Sequence, residues 1–209
     1  MSETKQKNDV AIVLKEAFLL FAITLVAGLL LGFVYELTKD PIRLQHENAI
    51  QAACRDVFAD ADHFTEIVYT PGERVLNACE ANGTYIETVY MAKSQSEDLL
   101  GYVLSVSTNQ GYGGTIVLYL GVRNDGMLNG ISILEISETA GLGMEAENVL
   151  VPQFSMKQEE AFTYTKTGST GSSEIDAISG ATITTKAVVG SVNTGLLAAK
   201  DLQEGGANE

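Results

Sequence analysis

The feature that most constrains this chain is an uninterrupted apolar run near its N-terminus. Residues 17–35 read AFLLFAITLVAGLLLGFVY, 19 consecutive uncharged residues between Glu16 and Glu36. As a helix this run is about 29 Å long, close to the hydrocarbon thickness of a bilayer. A core helix of a soluble protein has a polar face within such a length, and this run has none. The pattern therefore predicts a transmembrane helix over residues 16–38.

A cleaved signal peptide is the alternative interpretation of the same run. Its apolar region is normally about 7–15 residues long and ends at a small-x-small cleavage site. This run is longer and continues into Glu36-Leu-Thr-Lys-Asp-Pro41, which has no such site, so a retained anchor is favoured. Charge does not decide the orientation, because basic residues balance on the two sides of the run. They are Lys5, Lys7 and Lys15 before it, and Lys39, Arg43 and Arg55 after it.

Composition argues against two classes of site. The formal net charge is -14 at pH 7, and such a surface repels phosphate backbones, so we expect no nucleic-acid partner. Cys54 and Cys79 lack the spacing of a zinc or iron–sulfur site, as do the isolated His46 and His63, so we expect no metal. Both a disulfide and a pair of free thiols are compatible with the two cysteines.

Hydrophobic periodicity changes after the apolar run. Residues 41–58 have apolar residues at helical spacing, and Pro41 marks a bend or a restart behind the anchor. Asn82-Gly83 and Asp125-Gly126 are hairpin signals, because glycine supplies a positive φ. Helical spacing returns from Lys186 to about Leu202. Four short β-rich runs lie in between, at residues 84–91, 100–106, 115–122 and 128–136.

This order of elements predicts an α+β fold, in which a single N-terminal transmembrane helix precedes a twisted antiparallel sheet flanked by helices. We expect four segments along the chain. They are a short, polar and partly disordered leader (1–15), the transmembrane helix (16–38), a helical connector (39–65) and a folded domain (66–205).

Chemistry is suggested most strongly by residues 176–186, DAISGATITTK, where hydroxyl side chains crowd around Gly180 and Ala181. Thr184 or Thr185 could cap a helix that begins around Lys186. A helix N-terminus with free amides and nearby hydroxyls also binds anions, and a phosphate there would meet the Lys186 ammonium. Two glycine-rich loops, at residues 110–114 and 137–143, lie at strand ends and are either simple turns or functional loops.

The residues Asp176-x-x-Ser179-Gly180-Ala181-Thr182 match the flavinylation motif Asp-x-x-(Ser/Thr)-Gly-Ala-Thr, and here the chain resembles the FMN-binding domain family. In that family the motif threonine carries FMN through a phosphoester bond, which a separate flavin transferase installs from FAD. The resemblance therefore implies that Thr182 is the acceptor, that Asp176 is the motif's leading acid, and that residues 66–205 form an FMN-binding domain.

The similarity extends over about residues 15–202 and is to the G subunit of the Rnf complex. Its blocks are residues 111–121, the Asp125-Gly126 hairpin, and residues 138–143 and 182–189. The chain departs from the family pattern at Ala140, where relatives often have proline, and at Thr185, where some have proline or serine. Neither departure affects the acceptor.

The resemblance implies a role in a membrane-bound ferredoxin:NAD+ oxidoreductase that couples electron transfer to Na+ or H+ translocation. The chain would be a single-pass protein of the cell membrane with a cytoplasmic leader and an extracytoplasmic domain. Its partners would be the other membrane and peripheral Rnf subunits, the flavin transferase and the lipid bilayer. We expect covalent FMN to carry the electrons, with no acid–base active site.

The expected cofactor-binding residues come from two segments. Ser179, Gly180, Ala181, Thr184, Thr185 and Lys186 surround the acceptor, and Glu138, Thr139, Gly141, Leu142 and Gly143 would lie near the isoalloxazine. For Leu142, ordinary loop packing is the alternative. Two other functions compete with this interpretation: the related C subunit of a Na+-translocating NADH:quinone oxidoreductase, and a membrane-anchored ligand-binding domain without redox function.

Overall fold

The computed structural model describes the backbone of residues 3–206 and the side chains of residues 13–205. Helix α1 (Glu3–Val57) contains both the apolar run and the helix predicted behind it, with Pro41 inside. The leader predicted to be partly disordered is helical from Glu3, because its residues are mostly good helix formers and the apolar helix provides a nucleus. Residues 1 and 2 of that leader lie outside the described residues.

The chain divides into two compact units, residues 1–48 and residues 49–209. In the described part of the first unit, residues 13–48, the apolar side chains are exposed apart from the half-buried Ala22; Phe18 and Leu31, for example, are both 72% accessible. Within the described chain, one helix is long and apolar enough to cross a membrane, and it is α1. The predicted transmembrane segment therefore lies on a helix of suitable length and surface.

The second unit is built on a five-stranded antiparallel sheet whose strands follow one another in chain order. The four predicted strands are present within two residues of their predicted limits, and the α+β prediction is confirmed. Around this sheet, sequence reasoning missed the first strand and the helix that follows it. The elements are β1 (His63–Ile67), α2 (Glu73–Asn82), β2 (Thr84–Lys93), β3 (Leu99–Thr108), β4 (Ile116–Arg123) and β5 (Leu128–Ile136).

The two hairpin signals have different outcomes. Asp125-Gly126 joins β4 to β5 as predicted, with Gly126 at φ 83° and its amide donating to the Arg123 carbonyl at 2.9 Å. Asn82-Gly83 does not form a hairpin. Gly83 instead ends α2 in the left-handed conformation, at φ 60°, and its amide bonds carbonyls of that helix. An Asn-Gly pair serves both purposes, because each requires a positive φ.

The sheet is buried on both faces. Along β4, Ile116, Leu118 and Leu120 belong to a large cluster on one face, whereas Tyr119 packs on the other. The second face is covered by the end of α1 and by Phe58. Gly121 permits this close approach, since a Cβ there would lie 2.7 Å from the Val57 carbonyl oxygen.

The two cysteines belong to different faces of the sheet. Cys54 lies in the last turns of α1 and is buried against one face. Cys79 lies on α2 and packs against the large cluster on the other face. Both are free thiols. Of the two alternatives, the structure therefore has the pair of free thiols and no disulfide between them. Burial raises the pKa of the Cys54 thiol to about 12.

After β5 the chain forms short elements and then a long helix. Two 3-10 turns, Gly143–Glu145 and Val151–Phe154, flank α3 (Ala146–Val149), and β6 (Thr163–Thr165) pairs in parallel with β7 (Glu174–Asp176). Helix α4 (Thr182–Asp201) lies on the large cluster. It begins at Thr182 and not around Lys186, because Thr184 and Thr185 are buried and held in its first turn.

Candidate functional site

A cavity of about 480 Å³ lies where three segments of the second unit meet. The loop after β5 contributes Glu138, Thr139, Leu142 and Gly143. The beginning of α4 contributes Gly180, Ala181, Thr182, Ile183 and Thr184. Tyr112 comes from the glycine-rich loop before β4. Folding thus brings together residues that are up to 72 positions apart in the sequence, from 112 to 184.

The N-terminus of α4 forms one wall of this cavity. Thr182 is the first helical residue and is half-buried, and Ala181 before it makes no side-chain cap. The amides of the first turn have no partner inside a helix, and the helix dipole makes this end positive. The Ala181 amide donates to the Ile178 carbonyl and the Thr185 amide to Ala181. The amides of the residues between them are available to an anion.

The turn before Thr182 depends on glycine and on a buried hydroxyl. Gly180 has φ 78°, a conformation that side chains disfavour, and Leu142 Cδ2 lies 3.1 Å from where its Cβ would be. The Thr185 hydroxyl donates to the Ala181 carbonyl at 3.0 Å and accepts the Ile178 amide at 3.1 Å. Thr185 therefore stabilises the turn from inside the helix and is not the cap that the sequence suggested.

The two glycine-rich loops are joined by one carboxylate. Glu138 accepts the backbone amide of Tyr112 at 2.7 Å and that of Gly113 at 3.1 Å. A Cβ on Gly113 would lie 2.3 Å from the Ser137 carbonyl oxygen, so the loops approach too closely for any other residue. The two loops therefore form one linked unit.

Gly143 lies where the loop after β5 meets α4. A Cβ there would be 2.7 Å from both Thr184 Oγ1 and Glu138 Cβ. The preceding turn is closed by the Leu142 amide, which donates to the Thr139 carbonyl at 3.1 Å, with Gly141 at φ 74°. The loop and α4 can approach this closely because Gly143 has no side chain.

This part of the chain also matches a known family. Residues 111–197 match the FMN-binding domain family, and this range contains every residue that lines the cavity. The chain is 32% identical over 208 residues to the G subunit of the Na+-translocating ferredoxin:NAD+ oxidoreductase complex of Acetobacterium woodii, covering 97% of this chain and 100% of the relative. It is 30% identical to the G subunit of the proton-translocating ferredoxin:NAD+ oxidoreductase complex of Clostridium ljungdahlii, with 90% of each chain covered.

The chain belongs to the family of G subunits of ion-translocating ferredoxin:NAD+ oxidoreductase complexes. The resemblance recognised in the sequence is thereby confirmed. The fold is also that of NqrC from Shewanella oneidensis, with a TM-score of 0.50 and 17% identity over 72% of this chain and 87% of that one.

Five of the predicted site residues do not line the cavity of about 480 Å³. Gly141 and Ser179 are exposed beside it, and Thr185 is buried behind it. Lys186 lines a separate cavity of about 240 Å³ with Phe162, Tyr164 and Asn193. Asp176 is the fifth.

The Asp176 carboxylate binds a different part of the chain. It accepts the Ser169 amide at 2.5 Å and the Ser169 hydroxyl at 3.2 Å. The Asp176 backbone is held by Gln153, which accepts its amide at 2.7 Å and donates to its carbonyl at 3.1 Å. Asp176 thus fixes the strand that leads into the Thr182 turn and lies outside the cavity wall.

Sequence reasoning did not assign Tyr112 and Ile183 to the site. Ile183 follows Thr182 and is half-exposed at the cavity. Tyr112 lies in the first glycine-rich loop, so the glycine cluster around it was the one sequence feature that could have pointed to Tyr112. A further cavity of about 340 Å³, beside the β4–β5 hairpin, contains none of the predicted site residues.

Proposed function

We propose that Thr182 carries FMN through a phosphoester bond, and that the chain is an electron-carrier subunit of a ferredoxin:NAD+ oxidoreductase complex. The position of Thr182 is the observation that supports this most directly. It begins a 20-residue helix and lines the cavity of about 480 Å³. A phosphate on its hydroxyl would meet free amides and the positive end of the helix dipole.

The residues present fit such a cofactor. Binding pockets for small molecules commonly measure about 300–1,000 Å³ and are mostly apolar with a few polar groups. Here Leu142 and Ile183 are apolar, while Thr182 and Thr184 supply hydroxyls. Gly143 and Gly180 keep the wall close to the acceptor, since a side chain at either position would meet a neighbour.

When bound, FMN supplies the electron-transfer chemistry, and the chain binds and orients it. For attachment by a flavin transferase, the Thr182 hydroxyl oxygen would form a bond to the phosphorus on the FMN side of FAD. The pyrophosphate bond would break, and AMP and the hydroxyl proton would leave. Leu142 and Ile183 would then cover part of the bound group, and the amides at the start of α4 would hold the phosphate.

The chain's place in the cell follows from α1 and from its relatives. We propose that the apolar part of α1 anchors the chain in the cell membrane and that residues 49–209 lie on the extracytoplasmic side. Other subunits of the complex and the flavin transferase would be its partners. The two relatives are named for Na+ and for proton translocation, so the coupling ion of this chain stays open between these two.

Mass spectrometry of the full chain tests this proposal. Coexpression with a flavin transferase should add the mass of one FMN less one water, and fragmentation should locate the adduct on Thr182. Thr182→Ala should abolish the gain completely, because it removes the attacking oxygen. Thr182→Ser retains a hydroxyl and serves as the matched control for folding and partial attachment. Covalent flavin on the Thr182→Ala chain would show that the acceptor is another residue.

The second candidate is the related C subunit of a Na+-translocating NADH:quinone oxidoreductase, because that family shares the flavinylation motif at residues 176–182 and a single membrane anchor. Covalent flavin would not separate the two functions. Copurification does: we expect the tagged chain to bring down subunits of a ferredoxin-dependent complex, and recovery with a quinone reductase would support the alternative. Lack of flavin on the wild-type chain would support the third candidate, a ligand-binding domain without redox function.

A further inference from the structure

Tyr112 has an unusual combination of a fixed backbone and a free side chain. Its amide donates to Glu138 at 2.7 Å, and its neighbour Gly113 donates to the same carboxylate. A Cβ on Gly111 would lie 2.3 Å from the Gly114 carbonyl oxygen, so the loop is tightly folded. Tyr112 itself is nevertheless 72% exposed.

Exposed apolar side chains surround the mouth of the cavity. Besides Tyr112, Leu142 is 42% exposed and Ile183 is 51% exposed. Among the lining residues of the described chain, Tyr112 is the one aromatic residue. Apolar area left in water on three sides of a cavity is stabilised when an apolar group enters it. A flat aromatic ligand would bury all three side chains together.

We infer that the Tyr112 ring contacts the isoalloxazine ring of FMN carried by Thr182, and that Glu138 is a positioning residue that holds Tyr112 in place. This inference rests on the proposed function. Aromatic rings prefer offset or edge contacts, and tyrosine provides a large apolar face with few rotatable bonds. Glu138 acts through the Tyr112 and Gly113 amides that its carboxylate accepts.

Flavin fluorescence tests the Tyr112 contact. The detergent-solubilised full chain is coexpressed with a flavin transferase, and intact mass establishes that every variant carries one flavin. An excited flavin in contact with tyrosine takes an electron from the ring and returns it, which shortens the fluorescence lifetime; phenylalanine and leucine do not donate. We therefore expect Tyr112→Phe and Tyr112→Leu to lose the short-lifetime component. Tyr85→Leu, another exposed tyrosine but outside the cavity, should retain it.

Iodide quenching of the flavin fluorescence measures how exposed the flavin is. It therefore separates the packing contact of the Tyr112 ring from the ring's ability to donate an electron. Loss of one aromatic contact should shift the ratio of docked to free flavin by about two- to tenfold, as contacts of this kind do. Iodide quenching should therefore increase in Tyr112→Leu and change little in Tyr112→Phe, which keeps a ring. Fully flavinylated Tyr112→Leu with wild-type lifetime and iodide access would overturn the contact, while the proposed function would stand.

Two variants of Glu138 test its role in positioning Tyr112. Glu138→Ala removes both acceptors and should shift the lifetime distribution toward that of Tyr112→Leu. Glu138→Gln retains one acceptor oxygen and should lie between wild type and Glu138→Ala. If Glu138→Ala, folded by circular dichroism and fully flavinylated, keeps the short component, the positioning role is wrong. Failure of the wild-type chain to acquire flavin would contradict the proposed function and this inference together.

Discussion

Two segments of this protein are rich in serine, threonine and glycine, yet their hydroxyls have different partners. In residues 165–173 three hydroxyls donate to carboxylates; among them, Ser169 donates to Asp176, and Thr170 Oγ1 donates to Glu174 at 2.8 Å. In residues 179–185 the Thr185 hydroxyl serves the backbone, and Thr182 and Thr184 line the cavity. Hydroxyl content therefore does not identify a site. What distinguishes the second segment is a helix N-terminus beside space for a ligand.

The largest contrast in stability should come from removing one hydroxyl in each segment. Thr185→Val keeps the shape but leaves the buried Ile178 amide without its acceptor, which should cost about 1–3 kcal/mol of unfolding free energy. The exposed counterpart, Thr170→Val, should stay within about 0.5 kcal/mol of wild type. Denaturant unfolding of the full chain followed by tyrosine fluorescence measures both. Equal losses would mean that the Thr185 hydroxyl does not support the turn.

A smaller effect is expected where the two segments are connected. Gln153→Ala removes the side-chain amide that pairs with both backbone groups of Asp176. Because Asp176 is half-buried and water can replace part of this pairing, the loss should be about 1 kcal/mol. Flavin attachment should also slow, since the strand leading to Thr182 is loosened.

The matched control for Gln153→Ala is Gln158→Ala. Gln158 also donates to a backbone carbonyl, that of Asp125, but it is exposed and lies away from the motif. The initial rate of mass gain with purified transferase and FAD separates the two variants. If both attach flavin at the wild-type rate, Gln153 has no role in presenting Thr182.

The smallest effect should be a response to acid confined to residues 165–173. The Thr170 amide and hydroxyl lower the pKa of Glu174 below its ordinary value of 4.5. A lowered pKa stabilises the folded segment above pH 4.5 and loses this contribution as the pH falls through the lowered value. After correction for intrinsic rates, the Thr170 amide should therefore exchange hydrogen faster below that pH. The Thr185 amide, which donates to Ala181, should keep its protection; parallel changes in both amides would indicate general unfolding.

The fold was predictable where periodicity was long and regular. Strands β2 to β5 and the apolar helix are such elements, because alternation or continuous apolarity marks them locally. Helix α2 was missed because it has only 10 residues, and its final Asn-Gly resembles a hairpin turn. The start of α4 was placed four residues late, because a run of threonine and isoleucine has low intrinsic helix propensity and tertiary burial overrides it.

The candidate site was predictable in its motif and less so in its geometry. The match at residues 176–182 led to Thr182, and the resemblance to the same family led to residues 138–143. No local pattern shows that Tyr112 joins them, since the deciding contact is made to Glu138, 26 residues later. Nor does the motif show that its leading acid, Asp176, turns away toward Ser169. Such contacts depend on which strand ends become neighbours in the folded sheet.

The placement of the two cysteines has a consequence for biosynthesis. With Cys54 beneath one face of the sheet and Cys79 against the other, the sheet separates the thiols, and folding requires no partner oxidant. If the folded unit lies on the extracytoplasmic side, as proposed, it would need no disulfide between these two thiols, although thiols on that side are commonly oxidised in pairs.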